Sequence, residues 1–265
     1  MDRSSWQTSR FVSPDGIALT AQCARISVPH ARQKFVKIGI LETGYPPADT
    51  IDEHGNYPQA FMTLLDGFGF SFESWAALEG QLPDNVNSAD GWLITGSKFG
   101  AYEALPWIKP LQHFLSSAYA NNVPIVGICF GHQILAQALG GKVEKFSGGW
   151  SVGKVNYRLD GAAQPVPLYA WHQDQVVEPP PDATVVGSTD FCQYAALQYG
   201  TKAYTIQPHP EFTAGYINDL LTARKDVLPA EIFAQAVDSI ASGDTSPHVV
   251  AEKIAGFFLD SCRDS

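Results

Sequence analysis

Residues 124–141 read PIVGICFGHQILAQALGG, and within them Gly127-Ile128-Cys129-Phe130-Gly131 sets a cysteine between two glycines where an apolar run gives way to a helical pattern. This is a nucleophile elbow with cysteine in the nucleophile position. Its glycines let a strand turn tightly into a helix and leave the central side chain exposed at the carboxyl end of a sheet. Two effects then favour a reactive sulfur: the helix start stabilises a thiolate, and the backbone N–H of Phe130 points where an oxyanion would form. The other reading of the stretch is a small buried cysteine filling a strand-to-helix turn.

A nucleophilic cysteine needs a base, and the base needs an orienting group. The segment YTIQPHPEF (204–212) offers both, with His209 and Glu211 flanking Pro210 at the end of an apolar run. Residues two apart in extended chain project to the same side, which lets the carboxylate hold the imidazole. Prolines on both sides of His209 stiffen the backbone. Taken alone, His-Pro-Glu also reads as a polar turn after a strand.

Other candidates carry less. GGWSVGK (148–154) satisfies the Gly-x4-Gly-Lys part of a P-loop, but Val155 replaces the required Ser or Thr and no helix pattern follows, so it reads as a turn between strands. Cys129 and His132 have a spacing seen in metal sites, yet there is no second pair, and no metal is expected. His30, His54, His113 and His248 read as surface or satisfied core residues. Asp49, Asp52 and Glu53 follow the first strand at the ligand-binding end of a parallel sheet; they read either as a contact for a partner or substrate amine or as a solvated loop.

The elements that must position these groups alternate in type. FVKIGILETG (35–44), FSFESWAA (70–77), GWLITGS (91–97) and VPIVGIC (123–129) have strand character, several of them buried on both faces and closed by glycine. Helical patterns lie between and after them: QAFMTLLDGFG, with Phe61, Leu64 and Leu65 on one face, and PWIKPLQHFLSSAYANN, started by Pro106 and ended near Asn121. The pattern predicts an α/β fold, a mostly parallel sheet with helices on both faces. From about 142 to 208 the strand candidates KVEKF, GKVNYRL, PLYAWH, ATVVGST, CQYAALQY and AYTIQP crowd together, predicting an antiparallel extension of the same sheet. Three helices follow over 214–227, 229–242 and 247–262. Residues 1–35 form an N-terminal extension, strand-like over 16–28, and 36–265 a single domain.

Composition narrows the function classes. The formal net charge of −10 argues against a nucleic-acid partner, which needs a basic face. No run approaches the length of a membrane span and the N-terminus lacks an apolar signal core, so a cytoplasmic protein with no membrane partner is expected. The arginines and serines of the first 35 residues have an organelle-targeting flavour that Asp2 and Asp15 weaken. Cys23, Cys129, Cys192 and Cys262 are far apart, without the short paired spacings of zinc sites or a disulfide framework.

GICFGHQ followed by QPHPEF, in order and on suitable elements, resembles the class I glutamine amidotransferase family over roughly 36–215. The resemblance implies a flavodoxin-like architecture and a Cys-His-Glu triad, with Cys129 as nucleophile, His209 as general base and acid, and Glu211 as the residue that orients it. It implies an oxyanion hole completed at the Gly96-Ser97 turn, where many members have a second glycine followed by proline and this chain has Ser97-Lys98. It implies substrate contacts from Gln133 and, in YAWHQDQVVEPPP, from Trp171, His172 and Gln173. The wording of these segments is similar to the free-standing branch that includes γ-glutamyl peptidases. The implied chemistry needs no cofactor: hydrolysis of the γ-amide of glutamine or of a γ-glutamyl compound through a thioester. No synthetase signal accompanies the domain, so the implied partners are a glutamine or γ-glutamyl small molecule and either a separate synthetase or acceptor subunit or none. The last case is a stand-alone γ-glutamyl hydrolase or transpeptidase. A non-enzymatic binding or regulatory protein on the same fold is the third reading, and the oligomeric state stays open.

Overall fold

A computed structural model of the protein describes residues 36–263. The predicted extension over 1–35, with its strand-like stretch, Cys23 and His30, lies outside the described residues. The strands are β1 (Val36–Leu41), β2 (Phe70–Trp75), β3 (Gly91–Ile94), β4 (Ile125–Ile128), β5 (Lys142–Lys145), β6 (Ser151–Leu159), β7 (Val166–His172), β8 (Asp174–Glu178), β9 (Thr184–Ser188), β10 (Ala196–Tyr199) and β11 (Ala203–Ile206). The helices are α1 (Ile51–His54), α2 (Tyr57–Leu64), α3 (Ile108–Ala120), α4 (Phe130–Ala138), α5 (Ala214–Ala223), α6 (Ala230–Ala241) and α7 (Pro247–Arg263). None is long and apolar enough to cross a membrane.

One nine-stranded sheet runs in the order β2-β1-β3-β4-β11-β10-β9-β6-β7. Its first five strands are parallel and the rest antiparallel. Alternation along the parallel strands explains the layers, since successive side chains leave a strand on opposite faces. Leu41, Trp92, Ile94 and Ile125 pack with Phe114 and Leu115 of α3 and Ile134 and Leu135 of α4. Ile38, Ile40, Leu93, Val126 and Ile128 pack on the other face with Phe61 of α2 and Ile254 and Phe258 of α7. Each such side chain contributes about 1.5–3 kcal/mol through burial. A third cluster joins Tyr169 of β7 to Ile217 and Leu221 of α5 and Ala236 and Ile240 of α6.

Two local expectations need correction. Strands β5 and β8 pair with each other as a separate two-stranded antiparallel sheet and do not extend the main one. Their inward residues, Val143 and Val176, belong to the cluster around α4, so the small sheet buries its apolar side on a helix. Helix α3 begins at Ile108, two residues after Pro106. Elsewhere the caps follow local chemistry: the Asn56 side chain accepts from Gln59 N–H at 3.0 Å before α2, and the Thr213 hydroxyl accepts from Tyr216 N–H at 3.1 Å before α5.

This topology sets the carboxyl ends of β1, β3, β4 and β11 side by side. Thr43, the Thr95-Gly96 turn, Cys129 and the segment after Ile206 therefore meet at one edge, the place where open α/β sheets bind ligands.

Candidate active site

Cys129 stands between β4 and α4 with φ 53° and ψ −104°, a backbone conformation that a side-chain-bearing residue rarely adopts and that stores about 1–3 kcal/mol. Its neighbours make the turn possible. A Cβ on Gly127 would come within 2.5 Å of the Gly131 carbonyl, and one on Gly131 would run into the backbone of Ile94. The Cys129 N–H donates to the Ile206 carbonyl at 2.8 Å, tying the elbow to the end of β11. The elbow pattern predicts an exposed side chain. Cys129 is instead 5% exposed, because the Gly96 turn and His209 cover it.

His209 follows β11, and its N–H donates to the Tyr169 carbonyl of β7 at 2.8 Å. Its Nδ1 lies 2.7 Å from Glu211 Oε1, and the Cys129 sulfur is near enough to act on its charge. The pairing matches the expectation but its local reason does not. The chain turns at Pro210-Glu211, so a tight turn brings the carboxylate back to the ring where extended alternation was expected. Phe212 stacks on the imidazole, with centroids 4.0 Å apart and planes 9° from parallel. Burial opposes charge on His209, but the Glu211 carboxylate, hydrogen-bonded to the ring, and the nearby Cys129 sulfur outweigh it and raise its pKa to about 10.

Gly96 lies directly over this pair. A Cβ there would sit 3.0 Å from His209 Cε1 and 3.8 Å from Cys129 Cβ. Two buried threonines hold the turn: Thr43 Oγ1 donates toward the Thr95 carbonyl at 2.9 Å and the Gly96 carbonyl at 3.1 Å, while Thr43 N–H donates to Thr95 Oγ1 at 3.0 Å. Neither threonine stands out in the sequence, although a Thr-Gly pair recurs after β1 and after β3. Phe130 is fully buried in the helix-side cluster, and only its backbone can serve the site.

A cavity of about 380 Å³ opens above Cys129 and brings Ser97, Gln133, Trp171, His172 and Gln173 together around it. Trp171 and His172 end β7, Gln173 is the single residue before β8, and Asp174 begins that strand; the predicted loop here is two strand ends. The Gln133 amide donates to the Asp174 carbonyl at 2.9 Å and to Gln207 Oε1 at 3.1 Å, which fastens the small sheet to α4. Burial, reinforced by the charge of His209, pushes the His172 pKa down to about 3, so this imidazole is neutral. His132 is likewise pushed down to about 3 by burial and pairs with Thr205 at 2.8 Å inside the core. Lys98, Lys145 and Arg224 also line the cavity, opposed by Glu103 and Asp174, and Trp150 meets Trp171 with centroids 6.4 Å apart. Lys145, Trp150 and Arg224 carry no local motif, so only the fold gathers them. Of GGWSVGK, read as a turn between strands, only 148–150 precede β6; Ser151, Val152, Gly153 and Lys154 are already in the strand.

Residues 80–225 match the family described as glutamine amidotransferase class-I. The chain is 27% identical to γ-glutamyl peptidase 3 of Arabidopsis thaliana over 222 residues, covering 78% of this chain and 89% of that protein. It is 29% identical over 177 residues to one subunit of the glutamine-hydrolyzing GMP synthase of Methanopyrus kandleri, covering 61% of this chain and 87% of that protein. A solved glutamine amido transferase from Methylobacillus flagellatus has the same fold, with a TM-score of 0.67 at 20% identity, covering 86% of this chain and 96% of that one. The family match spans more than half of the chain and contains both the elbow and His209-Pro210-Glu211. The chain belongs to the class I glutamine amidotransferase family.

Proposed function

We propose that the protein hydrolyses the γ-amide of glutamine or of a γ-glutamyl compound, with Cys129 as nucleophile, His209 as acid and base, and Glu211 as its orienting carboxylate. The observation that carries this is the meeting of a strained elbow cysteine with an imidazole held by a buried carboxylate. Attack needs the Cys129 proton to have passed to the His209 imidazole. The sulfur attacks the γ-carbonyl carbon, and the negative oxygen is received by the backbone N–H groups of Phe130 and the Gly96-Ser97 turn. His209 passes its proton to the leaving nitrogen as the C–N bond breaks, releasing ammonia or an amine and leaving a γ-glutamyl thioester. A water then gives a proton to His209 as its oxygen attacks the thioester, the C–S bond breaks, and glutamate leaves. Glu211 keeps the ring in place and balances its charge throughout.

Substrate contacts fall to the cavity wall. Gln133 spends its amide N–H groups inside the protein, so its Oε1 is the part left for a substrate amine. Trp171, His172 and Gln173 shape the opposite side. The Trp150–Trp171 pair and the three cations at the rim favour a second reading, a stand-alone γ-glutamyl peptidase whose leaving group is an amino acid with its own carboxylate. The alternative is an amidotransferase component that delivers ammonia to a separate synthetase, a reading supported by likeness to the Methanopyrus protein, itself one subunit of a synthase.

Incubating the purified chain with glutamine and with γ-glutamyl dipeptides, beside Cys129→Ala, separates these. Fast dipeptide cleavage with slow glutaminase activity selects the peptidase; activity that needs a co-purified partner selects the amidotransferase component. No turnover by either protein on any γ-glutamyl donor, alone or with a partner, leaves the non-enzymatic reading.

A further inference from the structure

On the far side of Pro210-Glu211-Phe212 from Cys129 lies another cavity, about 500 Å³, within the range of small-molecule sites. Its walls come from α2, the start of α5, the 244–247 segment and residues 210–212 themselves. It is an open cleft, and others of similar volume exist on the surface, so its lining rather than its size sets it apart.

The lining states what kind of occupant fits it. Tyr57, Tyr169, Phe212 and Tyr216 contribute four aromatic rings. Tyr57 stacks with Phe212 at 6.5 Å, and Tyr216 meets Phe212 edge-on at 4.5 Å. No lysine or arginine lines the cavity among the described residues, whereas Asp244 and Glu211 do. His54, also in the wall, is held at 2.7 Å by Asp219, which adds a carboxylate near the rim. Glu211 is already paired with His209, and Asp219 with His54, so Asp244 is the carboxylate that an anion would face. A cation would meet the Asp244 carboxylate and the negative faces of the rings.

We propose that this cavity is a second ligand site, taking a small organic cation with a flat apolar body, of which a protonated arylalkylamine is the simplest form. The apolar body leaves water to lie against the parts of these rings that face the cleft, and the ammonium lies toward Asp244. The occupant shares a wall with the proposed catalytic group, because Phe212 lines this cavity while its ring stacks on His209.

The test is calorimetric titration of the intact chain with 2-phenylethylammonium, beside 3-phenylpropionate as an anion with the same body. The amine should bind saturably at ~1 mM or below and at least about tenfold tighter than the anion. Binding should survive alkylation of Cys129 with iodoacetamide, which fills the other cavity. Asp244→Asn, at an exposed position, should weaken it about fivefold or more, and Ala60→Trp, which puts an indole into the space from α2, should abolish it in protein that keeps its circular dichroism. Equal binding of amine and anion, loss on alkylating Cys129, undiminished binding by Asp244→Asn, or no saturation by about 10 mM would each overturn the proposal.

Discussion

The two cavities, one above Cys129 and one lined by Pro210, Glu211 and Phe212, have no lining residue in common. Above Cys129 the lining mixes three cations, two carboxylates and a tryptophan pair; behind Glu211 it is aromatic and its charges are acidic. One side suits a zwitterion or anion that carries its own carboxylate, the other a cation with an apolar body. On the two proposals above, a short turn serves two chemistries at once: His209 pairs with Cys129, while Phe212, three residues on, lines the second cavity.

The sharpest way to break this contrast is Cys129→Ala, which should lower γ-glutamyl turnover by about 10⁴-fold or more while leaving arylalkylamine binding unchanged by calorimetry. Glu211→Gln should lower kcat by about 10³–10⁴-fold and bring the His209 titration, followed by NMR, down from about 10 toward its ordinary 6.5. The sign of its stability effect is fixed by linkage. His209 has a raised pKa in the folded state, so its pairing stabilises the fold fully below pH 6.5 and loses that contribution as pH rises toward 10. The stability gap between wild type and Glu211→Gln should therefore narrow over that window in urea titrations; a gap that widens would contradict the pairing. Phe212→Ala removes the ring that stacks on His209 and should cost about 3–5 kcal/mol in urea unfolding. Lys98→Ala should act least, raising KM for γ-glutamyl dipeptides by about fivefold or less without moving amine binding. An equal effect on both ligands would mean the cavities are not chemically separate.

Much of the proposed site was legible because its parts are local. The elbow is written in five consecutive residues, and His209-Pro210-Glu211 in three, each with the strand that carries it. The parallel strands were legible for a similar reason, since burial on both faces leaves short unbroken apolar runs. What stayed hidden depends on contacts between distant segments. Thr43 and Thr95 hold the Gly96 turn only because β1 and β3 are neighbours. Phe212 comes to lie on His209 only through the turn at Pro210-Glu211. Strand β8 lacks a local signature because its pairing with β5 and its packing on α4 create its pattern. The second cavity joins residues from 54 to 247 and has no motif at all.

The hydrogen bond from Cys129 N–H to the Ile206 carbonyl also bears on the order in which the protein is made. β4 leaves the ribosome well before β11, and β11 lies between β4 and β10 in the finished sheet, so its docking must wait for a long intervening stretch. Closing such a loop is slow compared with forming local structure. Until then the elbow cysteine has no imidazole beside it and is chemically an ordinary thiol. On the role proposed for Cys129, its reactivity arrives with completion of the sheet. Refolding quenched at intervals with iodoacetamide should accordingly show fast Cys129 alkylation only once β11 has gained protection from hydrogen exchange.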